Sequence, residues 1–143
     1  MPTLPWATPN PAPSHTRSYV MASRFTLRSR RDVPRFLLNS LKAWRQVRSA
    51  PGVFGASLDA HPVSGVFLTL SAWEDRDALY EFAGTEPHRS VMETLRPTMR
   101  TATFTFWEVA TDELPISWKD ARRRLDEQAA ADTVRGRATA ADN

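Results

Sequence analysis

The sequence contains no cysteine. Disulfides, thiolate metal sites and thiol nucleophiles are thereby excluded, and stability has to come from burial alone. There are only three histidines, His15, His61 and His88, so a multi-histidine metal site would need a chance convergence and none is expected. No apolar run approaches the roughly 20 residues needed to cross a bilayer. Residues 1–20 also lack the basic start, apolar stretch and small-residue cleavage site of a secretory signal, and the expectation is a cytoplasmic protein with no membrane partner. Lysine is scarce: 17 of the 19 basic residues are arginine. That composition suits phosphate or carboxylate recognition and equally reflects the coding bias of a GC-rich genome. Dinucleotide-binding GxGxxG, Walker GxxxxGK[ST], zinc-protease HExxH and nucleophile-elbow GxSxG patterns are all missing.

What is present fits one globular domain: 143 residues, 41% apolar and 24% charged. The net charge of +3 hides an asymmetry, because residues 1–50 carry nine Arg and Lys against the single acid Asp32. Arg28, Arg30, Arg31, Arg35, Lys42, Arg45 and Arg48 form a basic run, yet the basic and aromatic pattern of a sheet-based RNA binder is absent, and nucleic acid is not expected as a partner.

Three segments emerge along the chain. Residues 1–18 hold five of the eleven prolines with no apolar periodicity and read as a mostly disordered arm anchored only by Trp6. Residues 19–110 form the working domain, and residues 111–143 a C-terminal helix and polar tail. Within the domain, Tyr19–Leu27 alternates as a half-buried strand. Asp32 is the expected N-cap of a helix to about Ser49, with Val33, Phe36, Leu37, Leu41, Trp44 and Val47 as its apolar stripe. Val53–Asp59 and Ser64–Trp73 form a hairpin across Ala60–Val63. A helix opens at Glu74–Asp77 and carries Ala78, Leu79, Phe82 and Ala83; Thr85 caps a second helix bearing His88, Val91, Met92 and Leu95. Thr101–Val109 is the last strand.

The order βαββαβ predicts an α+β, ferredoxin-like sandwich with a four-stranded antiparallel sheet and helices on one face. Large side chains also alternate onto the other face, which is expected to be covered by the sheet of a second copy in a homodimer. The helix near Pro115–Ala131, with Ile116, Trp118, Ala121 and Leu125, is positioned to clasp that partner, and the Arg122–Arg124 run reads as its solvated face.

The stretch Thr69–His88, with Ser71, Trp73, Asp75, Ala78, Phe82, Ala83, Pro87 and His88, resembles the segment after the third strand in the dimeric α/β-barrel superfamily of antibiotic-biosynthesis-type monooxygenases. It is closest to the spheroidene monooxygenase-like branch. The resemblance implies a homodimeric, monooxygenase-like tailoring enzyme of secondary metabolism with an apolar pocket for an aromatic or isoprenoid molecule. Some members use oxygen without a cofactor and others bind haem. Haem-degrading members carry Trp and His where this chain has Phe82 and Met92, so that chemistry is not implied.

His88 is the candidate catalytic residue. It shares a face with Val91, Met92 and Leu95, and at a helix start its pKa is expected to fall, leaving a neutral ring able to accept a proton or, where haem is bound, to ligate its iron. Equally, it reads as a core histidine bonded to nearby backbone. Trp73, Phe82, Trp44, Met92 and Trp107 are candidate substrate-binding surfaces, or plain core. Arg24 is a candidate for a substrate carboxylate, or a salt bridge to Glu108. Tyr80 and Asn39 are weaker polar candidates. A non-catalytic apolar-ligand or haem-binding protein is the alternative to an enzyme.

Overall fold

Alternation with a period of two puts residues 19, 21, 23 and 25 on one side of a strand and 20, 22 and 24 on the other, and both sets are rich enough in apolar groups to demand cover. The computed structural model of the protein, which describes residues 3–8, 10 and 16–141, supplies cover on both sides. The elements are β1 (Thr3–Ala7), β2 (Arg17–Leu27), α1 (Val33–Val47), β3 (Val53–His61), β4 (Val66–Trp73), α2 (Arg76–Gly84), α3 (His88–Leu95), β5 (Met99–Ala110) and α4 (Trp118–Ala141). All strand pairs are antiparallel, in the order β1-β3-β4-β2-β5. The last four positions of that order are the ferredoxin-like sheet expected from βαββαβ.

The fifth strand corrects, for residues 3–7, the expectation of a mostly disordered arm over residues 1–18; residues 1, 2, 9 and 11–15 lie outside the described residues. β1 pairs with β3, with Thr3 opposite Asp59 and Leu4 opposite Leu58. Periodicity gave no hint of it because the segment is short and carries Pro5, a residue that strands tolerate at a sheet edge. The Trp6 ring lies where a Cβ on Gly55 would stand, and the Asn10 amide donates to the carbonyls of Ala50 (3.0 Å) and Val53 (2.9 Å). Gly55→Ala is therefore expected to push Trp6 off the sheet and cost about 1–3 kcal/mol through overpacking. A urea melt checks this, and Trp6→Ala in the same chain is expected to remove most of the added cost.

Local details shift for identifiable reasons. Asp32 stands at the N-cap of α1 as expected but makes no side-chain cap bond; the capping hydroxyl is that of Ser29, which accepts the Arg31 N–H and leads a short 3-10 turn into α1. Leu41 lies about 80° round the helix from Val33, beyond the stripe of Val33, Phe36 and Val47, and is exposed. The hairpin turns later than expected, because Gly65 with φ of 70° closes it at Pro62–Gly65. Thr85 closes α2 instead of capping α3: its hydroxyl donates to the Glu81 carbonyl at 2.6 Å. Consequently His88 is the first residue of α3, not the third.

The helices α1, α2 and α3 cover the face carrying Phe25, Phe67 and Trp73. The opposite face, expected to meet a partner's sheet, is buried by this chain's own α4: Val20, Ala22, Leu68, Leu70, Ala72 and Trp107 pack with the fully buried Ala121 and Leu125. Polar contacts fix the helix there. Arg122 bonds the buried Asp59 carboxylate, the Trp118 Nε1–H donates to Ser57 (3.2 Å), and the Arg124 guanidinium sits 4.5 Å from the Trp107 ring centre. The arginine run is thus partly a set of tethers, and α4 is not left free to clasp another subunit.

Candidate functional site

Between the sheet and α1–α3 lies a cavity of about 250 Å³. Its floor is made by alternate residues of adjacent strands, Met21, Ser23 and Phe25 from β2 and Phe67, Thr69, Ser71 and Trp73 from β4, paired in register. Its roof comes from α1 (Phe36, Ser40, Trp44), α2 (Leu79, Phe82) and α3 (His88, Val91, Met92, Leu95). Five of the expected site residues, His88, Trp73, Phe82, Trp44 and Met92, meet here. Trp73, Phe82 and His88 form a continuous aromatic wall, with ring centres 5.1 Å apart for the first pair and 4.7 Å for the second.

Trp107 and Arg24 do not belong to it. Strand parity puts both on the α4 side, where Trp107 is core and Arg24 pairs with Asp126 at 2.7 Å. Glu108 was never within reach of Arg24: the register sets Arg24 opposite Thr103, five residues from Glu108, or about 16 Å along a strand. Glu108 instead lies 3.4 Å from Arg17. Asn39 donates to the Arg35 carbonyl outside the cavity, whereas Tyr80 stands at its rim, with the Arg76 guanidinium 4.8 Å from its ring centre. His15 lies outside the described residues.

The state of His88 follows from its contacts. A backbone carbonyl can only accept, so the 3.0 Å contact between Nδ1 and the Ala83 carbonyl assigns the proton to Nδ1. Nε2 then carries the free lone pair. Burial lowers the imidazole pKa from its ordinary 6.5, and the Ala83 bond opposes that only in part. The cause is removal from water, not the helix start invoked from the sequence. Because the folded state holds the ring neutral, the unfolded chain binds more protons just below pH 6.5, and this group's contribution to stability falls as the pH drops through that window. Thermal melts should show a loss of stability between pH 7.5 and 5.5 that is smaller in His88→Gln.

Sequence reasoning missed two parts of the site. Gln46 of α1 accepts the His88 backbone N–H (2.7 Å) and donates to the carbonyls of Phe82 (3.4 Å) and Thr85 (3.3 Å), tying three helices together at the histidine. The floor hydroxyls were also overlooked. Ser23 and Thr69 bond each other, and Ser71 accepts from the Trp73 indole at 2.8 Å, so Ser71 keeps its own proton to donate. Hydroxyls at core-facing strand positions 23, 69 and 71 were the available signal.

The cavity does not fit haem. Its volume lies below the about 300–1,000 Å³ typical of pockets for drug-sized ligands, and among the described residues no Lys or Arg lines it to meet two propionates. Nor is there a cluster of three potential metal ligands among the described residues. What the arrangement can do is enclose a small flat apolar molecule, offer hydrogen bonds from the floor, and present one neutral base.

Comparison with known proteins agrees with this architecture. A family model described as a domain of unknown function (DUF3291) matches residues 41–136. No curated protein matches the chain. Among solved structures, an antibiotic biosynthesis monooxygenase superposes with a TM-score of 0.57 at 16% identity, over 62% of this chain and 95% of its own. SnoaB, a cofactor-independent oxygenase from Streptomyces nogalater, gives 0.57 at 17% identity over 71% and 100%. A protein from Shewanella oneidensis gives 0.58 at 9% identity over 65% and 91%. At these identities the likeness is one of fold: this chain has the ferredoxin-like fold of the antibiotic biosynthesis monooxygenases.

Proposed function

The chain belongs to the DUF3291 family, and we propose that it is a homodimeric, cofactor-independent monooxygenase-like tailoring enzyme acting on a small flat apolar molecule. The observation that carries this reading is His88: a half-buried imidazole whose pKa is lowered by removal from water and whose tautomer is set by Ala83, at the end of an aromatic wall in an apolar cavity. The fold shared with a cofactor-independent oxygenase adds support. An aromatic substrate suits the Trp73–Phe82–His88 wall; an isoprenoid one is the second choice.

The chemistry asked of the protein is modest. Nε2 of His88 removes a proton from a carbon activated by an adjacent carbonyl, whose oxygen accepts a hydrogen bond from the floor. The carbanion gives one electron to dioxygen, the radical pair joins to form a C–O bond, and loss of water from the peroxide leaves a new carbonyl. A methylene plus dioxygen thus becomes a carbonyl plus water, with dioxygen as the only oxidant and no external reductant.

The alternative, a non-catalytic apolar-ligand carrier, is favoured by one observation: among the described residues that line the cavity, His88 alone offers a base near neutral pH. Oxygen uptake separates the two readings. With an anthrone as probe, the enzyme consumes dioxygen in proportion to product, whereas the carrier binds the probe and consumes none.

A further inference from the structure

The two edges of the sheet differ. β1 carries Pro5, a residue that blunts an edge, whereas β5 presents twelve residues with no proline and no lysine. Its outward pattern is alternating, and Ala102, Phe104, Phe106 and Glu108 on the cavity side are all exposed; Arg100, also exposed, is the extra residue of a register shift against β2 between Met99 and Thr101. Phe104 and Phe106 are about 40% exposed and line the mouth of the cavity, packed on Phe25 and Tyr19 of β2 with ring centres 5.6 and 5.9 Å apart.

That series is complementary to itself when reversed. Pairing β5 antiparallel with the β5 of a second copy, with the two-fold axis at Phe104, sets Ala102 opposite the partner's Phe106 and Phe104 opposite the partner's Phe104, and brings Arg100, at the register shift, level with the partner's Glu108. Arg100 has no ion-pair partner among the described residues, and Glu108 has only the exposed contact with Arg17 at 3.4 Å. A charge at each end and aromatics in the middle are the cross-strand pairings that stabilise an antiparallel ladder. The same axis keeps the helical layers of both copies on the same side of one ten-stranded sheet. It also brings the aromatic rims of the two cavities together.

We infer that β5 is the homodimer edge, paired about Phe104, and that the second copy completes the cavity mouth. This deepens the homodimer of the proposed function, and it is independent of His88 chemistry. It also replaces face-to-face sheet packing, since α4 already occupies the opposite face.

The lack of cysteine makes the test clean, because a single introduced thiol can only bridge two molecules. Opposed residues of an antiparallel pair have Cα atoms about 4.5–5.5 Å apart, within disulfide reach. Phe104→Cys is expected to yield a disulfide-linked dimer on mild oxidation. Ala102→Cys alone should not, because its counterpart lies four residues along the ladder, about 13 Å away; mixed with Phe106→Cys it should give the heterodimer. Sedimentation of the unaltered chain should give a dimer, and Arg100→Glu, which sets two carboxylates opposite each other, should weaken it at least tenfold in low salt. A monomer, or a dimer in which Ala102→Cys links as readily as Phe104→Cys, overturns the inference. Oxygen uptake by that monomer would leave the proposed activity standing.

Discussion

Replacing His88 with phenylalanine is expected to lower the rate of oxygen consumption by about 10²–10⁴-fold, the usual contribution of a positioned general base, while ligand affinity changes only a few-fold. Phenylalanine keeps a ring against Phe82, which stands 4.7 Å away, and adds apolar surface to an already apolar cavity. What it removes is the Nε2 lone pair, together with the Nδ1–H bond to the Ala83 carbonyl. Gln46→Leu is the companion change. It leaves the base in place and removes the hydrogen bond that holds the start of α3 to α1, so it should reduce the rate by less. It should also move the acid limb of the pH profile, because a loosened His88 is better hydrated and its pKa returns toward 6.5. Steady-state oxygen electrode measurements on the three proteins distinguish these outcomes. Equal loss in both variants would mean that the histidine acts through packing.

The largest stability effect is expected on the other side of the sheet. Leu125 is fully buried among Val20, Leu68, Leu70, Ala72 and Trp107, and Leu125→Asp puts a carboxylate among these apolar side chains. An uncompensated buried charge costs about 3–5 kcal/mol, against a typical total stability of about 5–15 kcal/mol. The variant should melt far below the parent protein or expose its apolar sheet face and aggregate. Leu125→Ala, which leaves only a cavity, should cost about 2–5 kcal/mol. Arg122→Ala should also destabilise, since Asp59 is buried and would lose the guanidinium that neutralises it, keeping the His61 contact at 2.9 Å. Circular-dichroism melts of the three variants test whether α4 is part of the fold or an appendage.

The working fold was legible because its signals were local. Alternation at 19–27 and 101–109 and the hairpin signal across 53–73 marked strands, and helical spacing at 88, 91, 92 and 95 marked α3, so the ferredoxin-like order followed. Parity could have gone further: once Phe25 and Phe67 are assigned to the helix side, Arg24 and Trp107 must lie on the other, and neither can share a pocket with His88. What no periodicity could show was which element covers the second face. That depends on a long-range contact between Leu125 and the sheet, and the same apolar alternation would serve a partner's strand equally well. β1 was hidden for a related reason, because a five-residue strand held by Trp6 against Gly55 and by Asn10 against two carbonyls has no repeat to read. At the site, the aromatic residues were visible as types, whereas Gln46 and the hydroxyls at 23, 69 and 71 acquire meaning only from what they touch.

The proposed reaction requires the cavity to hold a flat carbon acid with its acidic carbon against a neutral His88. The most direct measurement is the absorption spectrum of bound anthrone under argon, where deprotonation can occur and oxidation cannot. At neutral pH the unaltered protein is expected to shift the bound probe to its enolate, and His88→Phe is expected to bind it and leave it in the keto form. A probe that stays keto on the unaltered protein, or an enolate of equal intensity on His88→Phe, would contradict the account.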